Sequence, residues 1–212
     1  MLRRTIESQD CGSSLLKVPG REVVYGCYGD DEESSVYLVE KGYVKVVTTT
    51  QDGKECLLGI FTAGDLVGEL CFCHVDRSEV LTTMTPAVLR RIPGPRLMAL
   101  LDHSGVREEF VRYLAQRLLE QQRLITQFIA VDSEHRFAAV LLHLARKIGR
   151  PDGPLLVIHA RITQEEFAAM VGTTRSRIGV FLNRFVERGI VHRASRGVLM
   201  VDEERLEMLA TA

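Results

Sequence analysis

The hydrophobic pattern changes period near residue 100, and this change constrains the fold more than any other feature of the 212-residue chain. Before it, Val23-Val24-Tyr25, Val36-Tyr37-Leu38-Val39, Tyr43-Val44-Lys45-Val46-Val47 and Leu57-Leu58-Gly59-Ile60-Phe61 are short β-branched or aromatic runs. Pro19-Gly20, Gly29-Asp30, Lys41-Gly42 and Gln51-Asp52-Gly53-Lys54 separate them as turns. Asp52-Gly53 between two such runs predicts a hairpin, because glycine supplies the positive φ that a tight turn needs. Leu81-Thr82-Thr83-Met84 and Val88-Leu89-Arg90-Arg91-Ile92 complete a set whose spacing suggests a double-sheet roll.

After the change, Gly105 to Val131 reads as one long helix with no internal Gly or Pro. Val111, Leu114, Leu118, Gln121, Ile125 and Phe128 recur at three- and four-residue spacing, the seam of a coiled coil with one polar position at Gln121. A single helix cannot bury such a stripe by itself, so the expected partner is a second copy of the chain. A core helix of a monomer is the alternative. A further helix from about His135 to Ile148 follows, ended by Gly149-Arg150-Pro151-Asp152-Gly153-Pro154.

The segment from Ile162 to Phe185 carries the most chemistry. Thr163 with Glu166 three residues on is a capping box. The helix it starts buries Phe167, Ala168 and Val171 and stops at Gly172. Thr173 or Thr174 then caps a second helix with Ile178, Phe181, Leu182 and Phe185 inward, and with Thr174, Arg175, Ser176, Arg177 and Arg184 on the opposite face. Two short helices joined by a glycine turn, the second with arginines at its N-terminal end, form a helix-turn-helix. Arginine there can reach guanine O6 and N7 together, or clamp a phosphate. Gly189 to Arg193 and Gly197 to Val201 read as a two-stranded wing, with Arg196 at its tip placed for a phosphate contact.

The net charge of −1 conceals this face. Between Arg161 and Gly197 seven arginines stand against three acids, a formal +4, and acidic stretches such as Asp30-Asp31-Glu32-Glu33 cancel it elsewhere. No apolar run of membrane-spanning length occurs, and no apolar segment follows Met1-Leu2-Arg3-Arg4, so the expected location is the cytoplasm. The five cysteines, Cys11, Cys27, Cys56, Cys71 and Cys73, are odd in number in a chain with no export signal expected, which argues against a disulfide framework. Their confinement to the first 73 residues marks either a redox or metal sensor or small buried hydrophobes.

Val39-Glu40-Lys41-Gly42, Asp52-Gly53-Lys54-Glu55, Gly64-Asp65-Leu66-Val67-Gly68-Glu69-Leu70, the long helix and Met170-Val171-Gly172-Thr173-Thr174-Arg175-Ser176-Arg177 together resemble the CRP/FNR superfamily of bacterial transcription regulators, from about Val18 to Val201. The resemblance implies an α+β chain: a jelly-roll-like β-roll sensor over 1–104, a dimerisation helix over 105–132 and a winged helix-turn-helix over 133–212. It also implies a homodimer on a two-fold double-stranded DNA operator beside RNA polymerase, with DNA affinity modulated through the roll and no membrane partner. Thr163, Thr173, Thr174, Arg175, Ser176, Arg177, Arg184 and Arg196 are the expected DNA-binding residues. Arg175 matches the family's base-reading arginine. Ser176 stands where a glutamate is usual, Val180 replaces a frequent basic contact and Arg177 is an addition, so the resemblance implies an operator different from the best-known half-sites.

Three readings of the roll stay open. Gly68-Glu69-Leu70 and Arg77-Ser78 match in type the cradle that cyclic-nucleotide-binding members use for phosphate and ribose. Against this, the loop from Cys71 to Asp76 is short, Glu79 replaces a small residue, and Gln121 and Gln122 stand where small hydroxyls face adenine. Alternatively, Cys71, Cys73 and His74, with Cys56, Cys11 or Cys27, supply ligands for an iron–sulfur cluster, haem or another metal, or redox thiols, with a Cys-x-Cys pair in a strand pointing to one face. In the third reading, Arg77 forms a structural ion pair with Glu69 or Glu79 and the cysteines fill the core. A cyclic-nucleotide module acting on a partner protein does not need the basic recognition helix. An enzyme with a metal-binding roll needs histidines, and His74 is the only histidine before His103, so no enzyme is expected.

Overall fold

The short apolar runs close into two antiparallel four-stranded sheets. The strands are β1 (Ser14–Val18), β2 (Val23–Tyr25), β3 (Ser35–Lys41), β4 (Val44–Thr49), β5 (Glu55–Phe61), β6 (Leu66–Val67), β7 (Glu79–Thr83) and β8 (Ala87–Pro93). Their orders are β1-β8-β3-β6 and β2-β7-β4-β5. The computed structural model describes residues 13–26, 35–73, 79–130, 132–194 and 197–211. The chain divides into two compact units, residues 1–49 with 59–122, and residues 50–58 with 123–212.

In the first unit β3 is buried on both faces, and strand alternation sends its residues two ways. Tyr37 and Val39 enter a core with Val44, Val46, Leu81 and Leu89, between the sheets. Val36 and Leu38 enter another with Ile92, Leu97, Leu100, Leu101, Val106 and Phe110, on the helical side. That second core needs α1 (Gly94–Leu101), which leads into the long helix α2 (Ser104–Ala130). The hairpin expected at Asp52-Gly53 is present, with Gly53 N–H donating to Thr50 O at 2.9 Å and Thr50 N–H to Lys54 O at 2.9 Å.

Several elements differ from expectation. β1, β6 and α1 carry too few residues of clear period to announce themselves. Glu69–Cys73 is a 3-10 turn, not a strand, so the segment lacks the strand alternation on which the expected Cys-x-Cys face depends. The turn begins where Gly68 leaves β6 with φ +89, and Cys71 N–H closes on Gly68 O at 3.2 Å.

In the second unit, α3 (Ser133–Ile148) starts two residues earlier than the periodicity suggests, because the Asp132 side chain caps it by accepting from Glu134 N–H at 2.8 Å and His135 N–H at 3.0 Å. Arg150-Pro151-Asp152 does more than end the helix. It forms β9 (Arg150–Asp152), a hairpin with β10 (Leu155–Ile158), and the wing is therefore four-stranded, β11-β12-β10-β9, with β11 (Val191–Arg193) and β12 (Leu199–Asp202). Between β10 and β11 lie α4 (Gln164–Val171) and α5 (Arg175–Glu187), and α6 (Glu203–Thr211) follows β12. Phe137 of α3 is wholly buried against Phe167, Phe181 and Phe185, with ring centroids at 5.2, 6.5 and 5.4 Å. No described helix is long and apolar enough to cross a membrane.

Candidate nucleic-acid interface and effector cradle

The recognition element is set by local contacts. Thr163 Oγ1 accepts from Glu166 N–H at 3.2 Å while the Glu166 carboxylate accepts from Thr163 N–H at 2.8 Å, which completes the capping box of α4. The Thr163 hydroxyl is thus engaged within the fold. Gly172 ends α4 at φ 68 and ψ 45, a left-handed conformation that costs a side-chain-bearing residue energy and that lets the chain reverse at once. Thr174, not Thr173, caps α5, its hydroxyl 3.4 Å from Arg177 N. Ile178, Phe181, Leu182 and Phe185 are buried, and Arg175, Ser176, Arg177 and Arg184 are exposed.

Two of the arginines are already partnered. Arg175 Nε lies 3.0 Å from Glu165 Oε1, and Arg184 Nη1 donates to Glu134 Oε2 at 2.7 Å. The Arg184 pair ties the recognition helix to the first turn of α3, beside a hollow of about 400 Å³ lined by Asp132, Ser133, Glu134, Ser176, Arg177 and Val180, among others. The Arg177 guanidinium sits 5.7 Å from the centroid of the Phe181 ring. Arg193 of the wing donates to Asn183 Oδ1 at 3.0 Å, fixing β11 against α5. Arg196 lies outside the described residues.

In the roll, Gly68 sits where a Cβ would come within 3.0 Å of Ser35 O, so the chain passes close to β3 before presenting Glu69. The Glu69 carboxylate is 3.2 Å from Arg117 Nη2, and the Arg117 guanidinium also lies 4.4 Å from the centroid of Phe61. Burial pushes the Glu69 carboxyl above the usual carboxylate range, against the pull of Arg117. One turn earlier on α2, the Tyr113 hydroxyl donates to Leu66 O at 2.7 Å and accepts from Leu66 N–H at 3.1 Å. Arg117 and Tyr113 went unread in the sequence. The available signal was their four-residue spacing with Gln121, which continues one face of the helix. Gln121 and Gln122 are exposed, and Leu70 is partly exposed. Glu79 is buried and accepts from the Tyr25 hydroxyl at 2.8 Å. Arg77, Ser78 and His74 lie outside the described residues. Of the expected metal ligands, Cys71 is buried in the helix-facing core and Cys56 is half-buried on β5. Among the described residues no three of His, Cys, Asp or Glu gather as a metal site.

Comparison with known proteins agrees with both halves. Residues 19–104 match the cyclic nucleotide-binding domain and residues 135–209 the Crp-like helix-turn-helix domain. The "CRP-like cAMP-activated global transcriptional regulator" of Mycobacterium tuberculosis is 32% identical over 173 residues, covering 81% of this chain and 77% of that protein. The chain belongs to the CRP/FNR family of transcription regulators. It is a DNA-binding transcription regulator, with the antiparallel β domain and C-terminal helix-turn-helix of that family. Another CRP/FNR relative, the CRP-like protein Clp of Xanthomonas euvesicatoria pv. vesicatoria, is 28% identical over 207 residues, covering 92% of this chain and 87% of that one. Among solved structures, a CooA mutant from Carboxydothermus hydrogenoformans superposes with a TM-score of 0.78 at 22% identity over 99% of this chain and 95% of its own. The c-di-GMP-responsive global regulator CLP of Xanthomonas campestris superposes with a TM-score of 0.70 at 27% identity, over 94% of this chain and 98% of its own.

Proposed function

We propose that this CRP/FNR regulator acts as a homodimer on a two-fold DNA site in the cytoplasm, beside RNA polymerase, and carries out no chemical reaction of its own. The observation that carries the dimer is the stripe on α2: Val111, Leu118 and Ile125 are 59%, 60% and 58% exposed in the single chain, at the spacing of a coiled-coil seam. Two-fold pairing sets two recognition helices at the spacing of successive major grooves, which is why the operator should be a pseudo-palindrome. The sensor, dimerisation and DNA-binding segments are assigned to 1–104, 105–132 and 133–212.

Within each half-site, Arg175 is assigned to a base edge, with Ser176 and Arg177 beside it and Thr173, Thr174 and Arg196 toward the backbone. Thr163 and Arg184 are engaged by their partners, Glu166 and Glu134, and are assigned secondary backbone contacts. The effector reading best supported is a cyclic nucleotide. The matched domain type, the Gly68 approach to β3, the half-buried Glu69 acceptor and the cAMP activation stated for the Mycobacterium relative all favour it. Gly68, Glu69, Leu70, Arg77, Ser78, Gln121 and Gln122 would hold it. Arg117 occupies the Glu69 carboxylate, so a ribose hydroxyl would share or displace that contact. Iron–sulfur or haem chemistry draws no comparable support, since the Cys71 to Cys73 segment is a 3-10 turn with Cys71 buried in an apolar core.

The test is selection of binding sites from duplexes with randomised half-sites, with and without cyclic nucleotides, by the parent protein and Arg175→Ala. The parent should select a two-fold sequence, and Arg175→Ala should lose about 1–3 kcal/mol on it and relax preference at one base pair per half-site. Unchanged selection by Arg175→Ala would remove that residue from the base edge.

A further inference from the structure

We infer that Glu165 is a positioning residue for base reading: it orients the Arg175 guanidinium toward the groove and withholds it from phosphates. This inference rests on the assignment of Arg175 to a base edge made above. The Glu165 Oε1 to Arg175 Nε distance is 3.0 Å. Nε is one of five donors in a planar fork, and engaging it leaves the two terminal nitrogens, whose spacing suits the O6 and N7 acceptors of guanine.

The contact joins two helices, because Glu165 is the second residue of α4 and Arg175 the first of α5. Both ends are held. The capping box of Thr163 and Glu166 fixes the first turn of α4 around Glu165. Gly172 sets the angle between the helices, and Gln164 lies against Gly179 of α5, where a Cβ would be 3.4 Å from Gln164 Oε1. Both side chains are well exposed, 70% for Arg175 and 60% for Glu165, so in free water the pair contributes little to stability. Its consequence appears on DNA. With water excluded from the groove the pair strengthens, and the arginine arrives with one of its rotamers selected. The carboxylate also opposes any pose that brings a phosphate to Nε. A lone arginine at the tip of a recognition helix binds any backbone, whereas one held at Nε favours the base edge.

The test uses the full-length protein, the best duplex selected by the parent from randomised half-sites, and a random-sequence duplex at the same salt. Selection of no sequence by the parent would refute the proposed function itself, before this inference is reached. Given a selected duplex, Glu165→Ala should bind the random duplex more tightly and lower the specific-to-random affinity ratio by about tenfold, within the share of one bidentate arginine–guanine pair. Glu165→Asp keeps the charge in the first turn of α4 but shortens its reach, and should lower the ratio without weakening the fold. In the Arg175→Ala background neither substitution should change the ratio further. An unchanged ratio in both single variants, or an equal fall in the Arg175→Ala background, would overturn the inference, since a charge effect or a helix-stability effect alone predicts those results.

Discussion

Leu118 is the position where dimerisation can be tested with a calculable magnitude. Its side chain is 60% exposed in the single chain, in line with Val111, Leu114 and Ile125 on one face of α2. Full burial of a leucine is worth about 1.5–3 kcal/mol, so covering the exposed part against a second copy is worth about 1–2 kcal/mol per chain. A two-fold interface counts the residue twice, so Leu118→Ala should weaken the dimer by about 2–4 kcal/mol. At about 1.4 kcal/mol per decade this is roughly a 30- to 700-fold rise in the dimer dissociation constant. Sedimentation equilibrium over a concentration series would read the constant, and a DNA titration should show operator affinity falling with protein dilution at concentrations where the parent remains dimeric. Met208→Ala removes an equally exposed residue, 60%, from α6 and serves as the control. A Leu118→Ala dimer as tight as the parent, or a Met208→Ala dimer weakened to the same degree, would refute the seam.

Two further outcomes follow from other parts of the fold. Glu69 takes up its proton at a higher pH in the folded chain than its ordinary 4.5, because burial disfavours the carboxylate. The stability this gives is fully present below that ordinary value and is lost as pH rises through the raised one. The melting-temperature difference, Glu69→Gln minus parent, should therefore increase from pH 4.5 to pH 7, and a difference flat with pH would show that Glu69 is solvated. At Gly172, φ 68 penalises any Cβ, so Gly172→Ala should cost about 1–2 kcal/mol and lower the thermal midpoint of the helix-turn-helix unit. A midpoint equal to the parent's would mean the turn relaxes out of the left-handed conformation.

The helix-turn-helix could be read from the chain because its signals are local. A threonine and a glutamate three residues apart satisfy each other's backbone, a glycine supplies one backbone conformation, and a three-four spacing puts Ile178, Phe181, Leu182 and Phe185 on one face wherever the helix lies. The hairpin at Asp52-Gly53 and the stripe on α2 are of the same kind. What surrounds the candidate sites was set by contacts between residues far apart in the chain. Glu69 meets Arg117 across 48 residues, Tyr113 meets Leu66 across 47, and Arg184 meets Glu134 across 50. No spacing rule reaches that far, since such pairs depend on how sheets and helices pack after each element has formed. The Cys71 segment makes the same point on a small scale. Its residues suit a strand, but the turn at Gly68 and burial of Cys71 against Val36, Leu38 and Phe110 wind it into a 3-10 helix. Local hydrogen bonding and periodicity thus determined the kinds of element and the recognition helix. Tertiary packing alone decided that Arg117 faces Glu69 and Arg184 faces Glu134, because those choices are made by how the elements assemble.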